Sequence, residues 1–190
     1  MIRVNHYQDA RYDLDYGASD ALSILLRFDQ ASTGLFNRTV AYQLADETAT
    51  RAKIIEVFTA LQLVAPEDVL VIYLAGHGVI IGNEWYWLPV EATFTADGVP
   101  RTGISATMLR DLLSRVGPER VFVMIDSCNS GGSVDPLATS MDRRVLRSVG
   151  RDTGVSILAA APPDQSAAEL PRLGHGAFTY VVLEGLNQEG

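Results

Sequence analysis

The sequence is poor in groups that bind metals or form disulfides: it holds one cysteine, Cys128, and three histidines, His6, His77 and His175. A single cysteine excludes an internal disulfide and fits a reducing cytoplasm. It also excludes Cys-x-x-Cys redox chemistry, and no Gly-x-Gly-x-x-Gly turn is present to cradle a dinucleotide. The histidines and cysteine lack close ligand spacing such as His-x-x-x-His, so no zinc site is expected. No apolar run approaches 18 residues, which leaves no candidate membrane helix. The N-terminus has no basic stretch leading into an apolar one, so no signal peptide is expected. Positive charge is also scarce, with 15 Lys and Arg against 23 Asp and Glu and a net charge of −8. That balance argues against a nucleic-acid platform, and any charged partner should be basic. Ordinary solubility accounts for the acidity equally well. No internal repeat is visible.

What the chain does have is a hydrophobic content of 47% over 190 residues, enough for one well-packed domain. Its pattern alternates strands and helices. Ile2–Val4 reads as a short strand. Ala18–Phe28 carries Ala21, Leu22, Leu25 and Leu26 on a helical stripe. Thr39–Leu44 reads as a second strand, and Ala49–Leu63 as a helix with Ile54, Ile55, Phe58 and Leu61 on one face. Val69–Ala75 is a continuous apolar run of the kind buried on both sheet faces. Val79–Ile81 and Trp85–Leu88 flank Gly82-Asn83, a two-residue hairpin turn. Core packing is the expected role of Trp85 and Trp87. Ser105 can cap a helix carrying Met108, Leu109, Leu112, Leu113 and Val116. Val121–Asp126 and Val155–Ala160 complete the strands, and Phe178–Leu186 is the last helix. This alternation predicts an α/β fold, a three-layer α/β/α sandwich with a mainly parallel sheet.

Two strands run into chemistry-bearing turns. Val69–Ala75 leads to Gly76-His77-Gly78, and Val121–Asp126 leads to Ser127-Cys128-Asn129-Ser130-Gly131-Gly132. The 51 positions between His77 and Cys128 accommodate a hairpin and a crossover helix. Parallel strands ending side by side would bring imidazole and thiol to one sheet edge, where open α/β sheets build their sites. A thiol nucleophile needs a base within hydrogen-bond reach to lower its pKa from about 8.5.

Ala75-Gly-His77-Gly78 and Asp126-Ser-Cys128-Asn-Ser-Gly131 together resemble the motifs of the caspase-like cysteine peptidases, peptidase C14, in their metacaspase-like and bacterial branch. Weaker similarity extends from Asn5-His-Tyr7 through Tyr16-Gly-Ala-Ser-Asp20-Ala to Leu173-Gly-His-Gly-Ala-Phe-Thr-Tyr180. The resemblance implies a caspase-hemoglobinase type of fold. It implies one catalytic domain over 1–190: a large-subunit-like part at about 1–132, an Arg-rich linker at 133–154, and a small-subunit-like part at 155–190. Both ends are short of the family pattern, and a further strand and helix usually follow the Gly185 region.

The resemblance also implies roles. Cys128 would be the nucleophile and His77 its base and proton donor. The backbone N–H groups of Gly78 and Cys128 would bind the oxyanion. No third catalytic residue is evident, so a dyad is assigned. Asp20 and Asp126 would line the pocket for the residue before the scissile bond and select Arg or Lys. Read locally, Asp20 also fits a helix-start carboxylate and Asp126 a strand-end group bonding nearby backbone amides. Asp164 and Glu169, in the loop 161–169, are further substrate-binding candidates. Arg143, Arg144, Arg147 and Arg151 offer self-processing sites in a linker that composition alone reads as a solvated loop. His6 is expected at the surface or in packing, and His175 is expected to order the turn before the last helix.

No cofactor and no metal site is assigned. Several metacaspases are calcium-dependent through acidic residues between the two motifs. Here that interval offers Glu84, Glu91 and Asp97, without an EF-hand run. The expected partners are protein or peptide substrates with basic residues, with no nucleic acid and no membrane. Two other classes compete. A catalytically silent caspase-like binding or assembly module would have no need of both Cys128 and His77. A redox or acyl-transfer thiol enzyme lacks the expected motifs.

Overall fold

The computed structural model describes residues 1–14, 17–128, 149–151, 153–160 and 176–187. The strands in chain order are β1 (Ile2–Arg3), β2 (Leu44–Ala45), β3 (Val69–Ile81), β4 (Glu84–Trp87), β5 (Ile104–Ser105), β6 (Arg120–Cys128) and β7 (Ser156–Ala159). The helices are α1 (Gly17–Ser32), α2 (Arg51–Leu61), α3 (Val99–Thr102), α4 (Ala106–Leu113) and α5 (Ala177–Asn187). All seven strands form one sheet. Its body, β2-β1-β3-β6-β7, is parallel. β4 and β5 form an antiparallel arm on the far end of β3.

Helices cover both faces, as the alternation of apolar residues predicts. On one side Ile72 and Leu74 of β3 and Val121, Val123 and Ile125 of β6 pack with Ile54, Phe58 and Leu61 of α2 and Leu109 and Leu113 of α4. On the other, Tyr73, Ala75 and Met124 pack with Ala21 and Ile24 of α1 and with Phe178, Val182 and Leu183 of α5. The chain is a three-layer α/β/α sandwich.

Three local features follow from sequence chemistry. Thr50 Oγ1 accepts from the Lys53 amide at the start of α2, and Ser105 Oγ from the Met108 amide at the start of α4. The Gly82-Asn83 turn places a positive φ of 63° at Gly82, the first turn position, as a type II′ hairpin requires. Trp85 and Trp87 lie fully buried in the core.

Two strands differ from their expected lengths. β3 does not stop at Ala75. It runs through Gly76-His77-Gly78 as one 13-residue strand. Glycine is a poor strand former alone, but here β6 pairs the strand through His77 and β4 takes over from Gly78. The expected strand Thr39–Leu44 shrinks to Leu44–Ala45, because its partner β1 supplies only Ile2 and Arg3 to the ladder. Val40 and Tyr42 are left exposed. β-propensity without a partner makes no sheet. Helix α3 and strand β5 had no clear sequence signal.

Candidate active site

The parallel ladder between β3 and β6 sets Ala75 opposite Asp126, Gly76 opposite Ser127 and His77 opposite Cys128. The two motif residues are therefore register partners on neighbouring strands, Cys128 at the end of β6 and His77 where β3 passes from β6 to β4. Parallel neighbours lie about 4.8 Å apart in the hydrogen-bonding direction. Cys128 enters this geometry by its backbone position.

His77 is 3% exposed. Its Nε2 lies 2.8 Å from the Tyr12 carbonyl oxygen. A carbonyl only accepts, so Nε2 carries the hydrogen, and in the neutral ring Nδ1 is the basic nitrogen. Rings surround the imidazole: Tyr7 stacks on it at 5.1 Å between centroids and 25° between planes. Phe94 meets it edge-on at 5.8 Å and stacks on Tyr12 at 3.6 Å. The main-chain N–H of His77 donates to Tyr7 Oη at 2.8 Å.

The flanking glycines are required by space. Gly76 has a φ of 147°, and a Cβ there would lie 3.0 Å from Tyr7 Oη. A Cβ on Gly78 would lie 2.7 Å from Trp85 Nε1. The Leu88 amide donates to the His77 carbonyl at 2.9 Å. Bonded and non-bonded pairs alternate along an antiparallel ladder, so Gly78 and Trp87 are a non-bonded pair. The Gly78 amide is thereby turned away from β4, toward the side of β6.

The loop that carries Tyr7 is held by two carboxylates. Asp46, with a left-handed φ of 45°, accepts the Asn5 amide at 2.7 Å and the His6 amide at 3.0 Å. Burial works to raise the Asp46 carboxyl, but those amides and the Arg3 charge outweigh it and hold it below its ordinary value. Asp13 accepts the Tyr7 amide at 2.8 Å and meets His6 Nδ1 at 3.0 Å. His6 itself is at the surface, and the bond to Asp13 raises its pKa.

Two residue pairs before His77 and Cys128 in the same ladder, Asp126 Oδ2 accepts from Tyr73 Oη at 3.0 Å and from Thr179 Oγ1 at 3.3 Å. Its partners are hydroxyls from β3 and α5, where a strand-end carboxylate was expected to bond nearby amides. Burial pushes the Asp126 carboxyl up, and the Asp20 charge adds to this against the pull of the two hydroxyls. Burial also raises the Tyr73 phenol, with Asp126 charge second, so it stays a donor. Asp20, in the first turn of α1, is 2% exposed. Its Oδ2 accepts the Gly176 amide at 2.9 Å, just ahead of α5. Asp20 therefore sits at the entry of a different helix as well as its own, with its charge reaching Asp126.

Other expected residues fall elsewhere. Asp164, Glu169, His175, Arg143, Arg144, Arg147, Gly131 and Gly132 lie outside the described residues. Arg151 is exposed on the helical stretch 149–151. Glu84 accepts the Thr107 amide at the start of α4, and Glu91 the Arg51 amide at the start of α2. Among the described residues no three His, Cys, Asp or Glu side chains gather to hold a metal, and no helix is long and apolar enough to cross a membrane. Tyr7, Tyr73, Thr179 and the Tyr12 carbonyl were not assigned roles from sequence. Tyr73 had one signal, a hydroxyl in an otherwise apolar strand. A main-chain acceptor such as Tyr12 O has none.

A mainly parallel α/β sandwich with histidine and cysteine in register on adjoining parallel strands has the architecture of the caspase-like class. The family model for the caspase domain, peptidase C14, matches residues 1–190, and the chain belongs to that family. The fold is similar to a crystal structure of a Geobacter sulfurreducens protein, with a TM-score of 0.62 and 18% identity over 100% of this chain and 83% of that one. No curated protein matches the sequence.

Proposed function

We propose that the protein is a cysteine endopeptidase that cleaves after Arg or Lys with a His77/Cys128 dyad. The observation that carries this reading is the β3–β6 register of His77 and Cys128, combined with the Nε2–H bond to Tyr12 that leaves Nδ1 as the basic nitrogen. His77 takes the Cys128 proton, and the thiolate attacks the scissile carbonyl carbon. The resulting oxyanion is assigned to the amides of Gly78 and Cys128, which must turn out of the β3–β6 ladder to meet it. The tetrahedral intermediate collapses as the imidazolium protonates the leaving amine. Water, deprotonated by His77, then attacks the acyl-enzyme and releases the acid and the thiol.

Selectivity for basic residues is supported by two carboxylates that meet the start of α5, Asp20 through the Gly176 amide and Asp126 through the Thr179 hydroxyl, with the Asp20 charge helping to raise the Asp126 carboxyl. A guanidinium there would gain charge-assisted hydrogen bonds and relieve that repulsion. Arg143, Arg144, Arg147 and Arg151 are self-processing sites in this scheme, and the compartment is the cytoplasm.

Fluorogenic peptides ending in Arg, Lys or Asp, assayed with and without a thiol-alkylating agent, test the proposal. Alkylation-sensitive cleavage after Arg and Lys is expected. Turnover that survives alkylation of Cys128 contradicts a thiol mechanism, and a preference for Asp contradicts the acidic pocket. Fragments ending at the linker arginines should appear in active protein and not in Cys128→Ala. Active protein that stays full length would end the self-processing part alone.

A further inference from the structure

In a regular antiparallel ladder His77 and Leu88 would exchange both hydrogen bonds. They exchange one. The Leu88 amide donates to the His77 carbonyl at 2.9 Å, but the His77 amide donates to Tyr7 Oη at 2.8 Å, and Tyr7 Oη–H donates on to the Leu88 carbonyl at 3.3 Å. A tyrosine hydroxyl is thus inserted into the sheet at the residue that carries the imidazole. The same tyrosine lays its ring on that imidazole. Gly76, lacking a Cβ, leaves room for the hydroxyl.

The insertion is built from several sides. Asp13 holds the Tyr7 amide, and Asp46 holds the two amides before it. Asp13 also directly follows Tyr12, whose carbonyl accepts from His77 Nε2. One short loop therefore fixes the main chain of His77, one face of its ring and one of its nitrogens.

We propose that Tyr7 is a positioning residue for His77: its hydroxyl sets the backbone from which the imidazole projects, and its ring face favours the protonated imidazole. This rests on the dyad reading above. The ring contribution follows from the attraction of an aromatic face for a cation. The titratable and charged groups of the loop are His6, Asp9, Arg11 and Asp13, with Arg11 paired to Asp9; Arg3 and Asp46 face it from β1 and the turn after β2, and Tyr12 faces the imidazole from the next turn. All are unchanged in the variants that test the idea.

The experiment measures the rate of Cys128 alkylation by iodoacetamide against pH, together with kcat and KM on an Arg-ending peptide. Wild type, Tyr7→Phe, Tyr7→Leu and His77→Ala are compared. In wild type the alkylation midpoint should lie well below the free-thiol value of about 8.5. His77→Ala should restore that value, and if it does not, the dyad reading itself fails. Tyr7→Phe keeps the ring and removes the bridge. It should lower kcat about tenfold with KM little changed, the pattern of an interaction felt in the transition state. Tyr7→Leu removes the ring as well and should also raise the alkylation midpoint by about one pH unit, toward that of His77→Ala. A folded Tyr7→Phe with wild-type kcat, KM and alkylation profile, alongside a shifted His77→Ala, overturns the proposal. Should Tyr7→Leu fail to fold, Tyr7→Phe decides.

Discussion

Two neighbouring clusters, one around His77 and one around Asp126, hold their polar groups in different ways. Around His77 the restraints are main-chain atoms and aromatic rings: the Tyr12 carbonyl, the Tyr7 hydroxyl and the stacked Tyr7 and Phe94 rings. Around Asp126 they are hydroxyls, Tyr73 and Thr179, with a second carboxylate close by. The imidazole is over-determined in orientation, as suits a group that must pass a proton along one line. The acid pair is oriented by hydrogen bonds, with the Asp20 charge helping to raise the Asp126 carboxyl. That difference assigns reaction geometry to the His77 cluster and ligand charge selection to the Asp126 cluster, and it can be broken by mutation.

The largest effect should come from the dyad. Cys128→Ala should abolish peptide cleavage with the fold intact, because it removes the nucleophile and little volume. His77→Ala should lower kcat at least about a thousandfold for every peptide, whatever residue precedes the bond. Steady-state assays across Arg, Lys and neutral peptides check this. A loss confined to basic peptides would place His77 in substrate selection and collapse the distinction between the clusters.

A smaller and selective effect is expected on the acid side. Asp126→Asn should lower kcat/KM for Arg peptides by roughly 10- to 100-fold, one charge-assisted hydrogen bond being worth about 1.5–3 kcal/mol. Neutral peptides should change little, and Cys128 should stay open to alkylation. Asp20→Asn should show the same selectivity, with some loss of thermal stability because Asp20 also binds the amide ahead of α5. Equal losses on basic and neutral peptides would show that both carboxylates serve the fold and not the ligand.

The smallest effect is a pH dependence. The folded protein holds the Asp126 proton to higher pH than the unfolded chain, since burial and the Asp20 charge raise its carboxyl. Its contribution to stability should therefore fall as pH climbs from the ordinary carboxyl value, about 3.9, through the folded value. Over the same window the ionised form appears, so kcat/KM for Arg peptides should rise. Tyr73→Phe removes a hydroxyl that favours the ionised form and should move the rise to higher pH, while leaving the profile for neutral peptides in place. Thermal melts and kcat/KM measured from pH 4 to 8 check both. An Arg profile unmoved by Tyr73→Phe would disconnect that hydroxyl from the acid group.

Much of the fold was legible because apolar periodicity is written locally. The stripe Ile54, Phe58, Leu61 and the run Val121–Ile125 lead directly to α2 and β6. That His77 and Cys128 lie side by side was legible from the two apolar strand runs that lead into them. What was not legible depends on partners remote in sequence. Nothing local states that β3 continues past Gly76, because its support comes from β4 and β6. Nothing local states that Thr39–Tyr42 lacks a partner, or that Tyr7 reaches across to Leu88. The acid pair was expected from family resemblance. The hydroxyls that hold Asp126 come from β3 and α5, and Thr179 has no pattern that singles it out among apolar helix neighbours.

The most direct test of the central claim is covalent labelling with a peptidyl chloromethyl ketone ending in arginine, followed by intact mass and peptide mapping. The account predicts one adduct per chain, on Cys128, formed much faster than with the matching aspartyl reagent and slowed by Asp126→Asn. Equal labelling by both reagents, labelling at another residue, or no arginyl adduct on Cys128 in folded protein would contradict it.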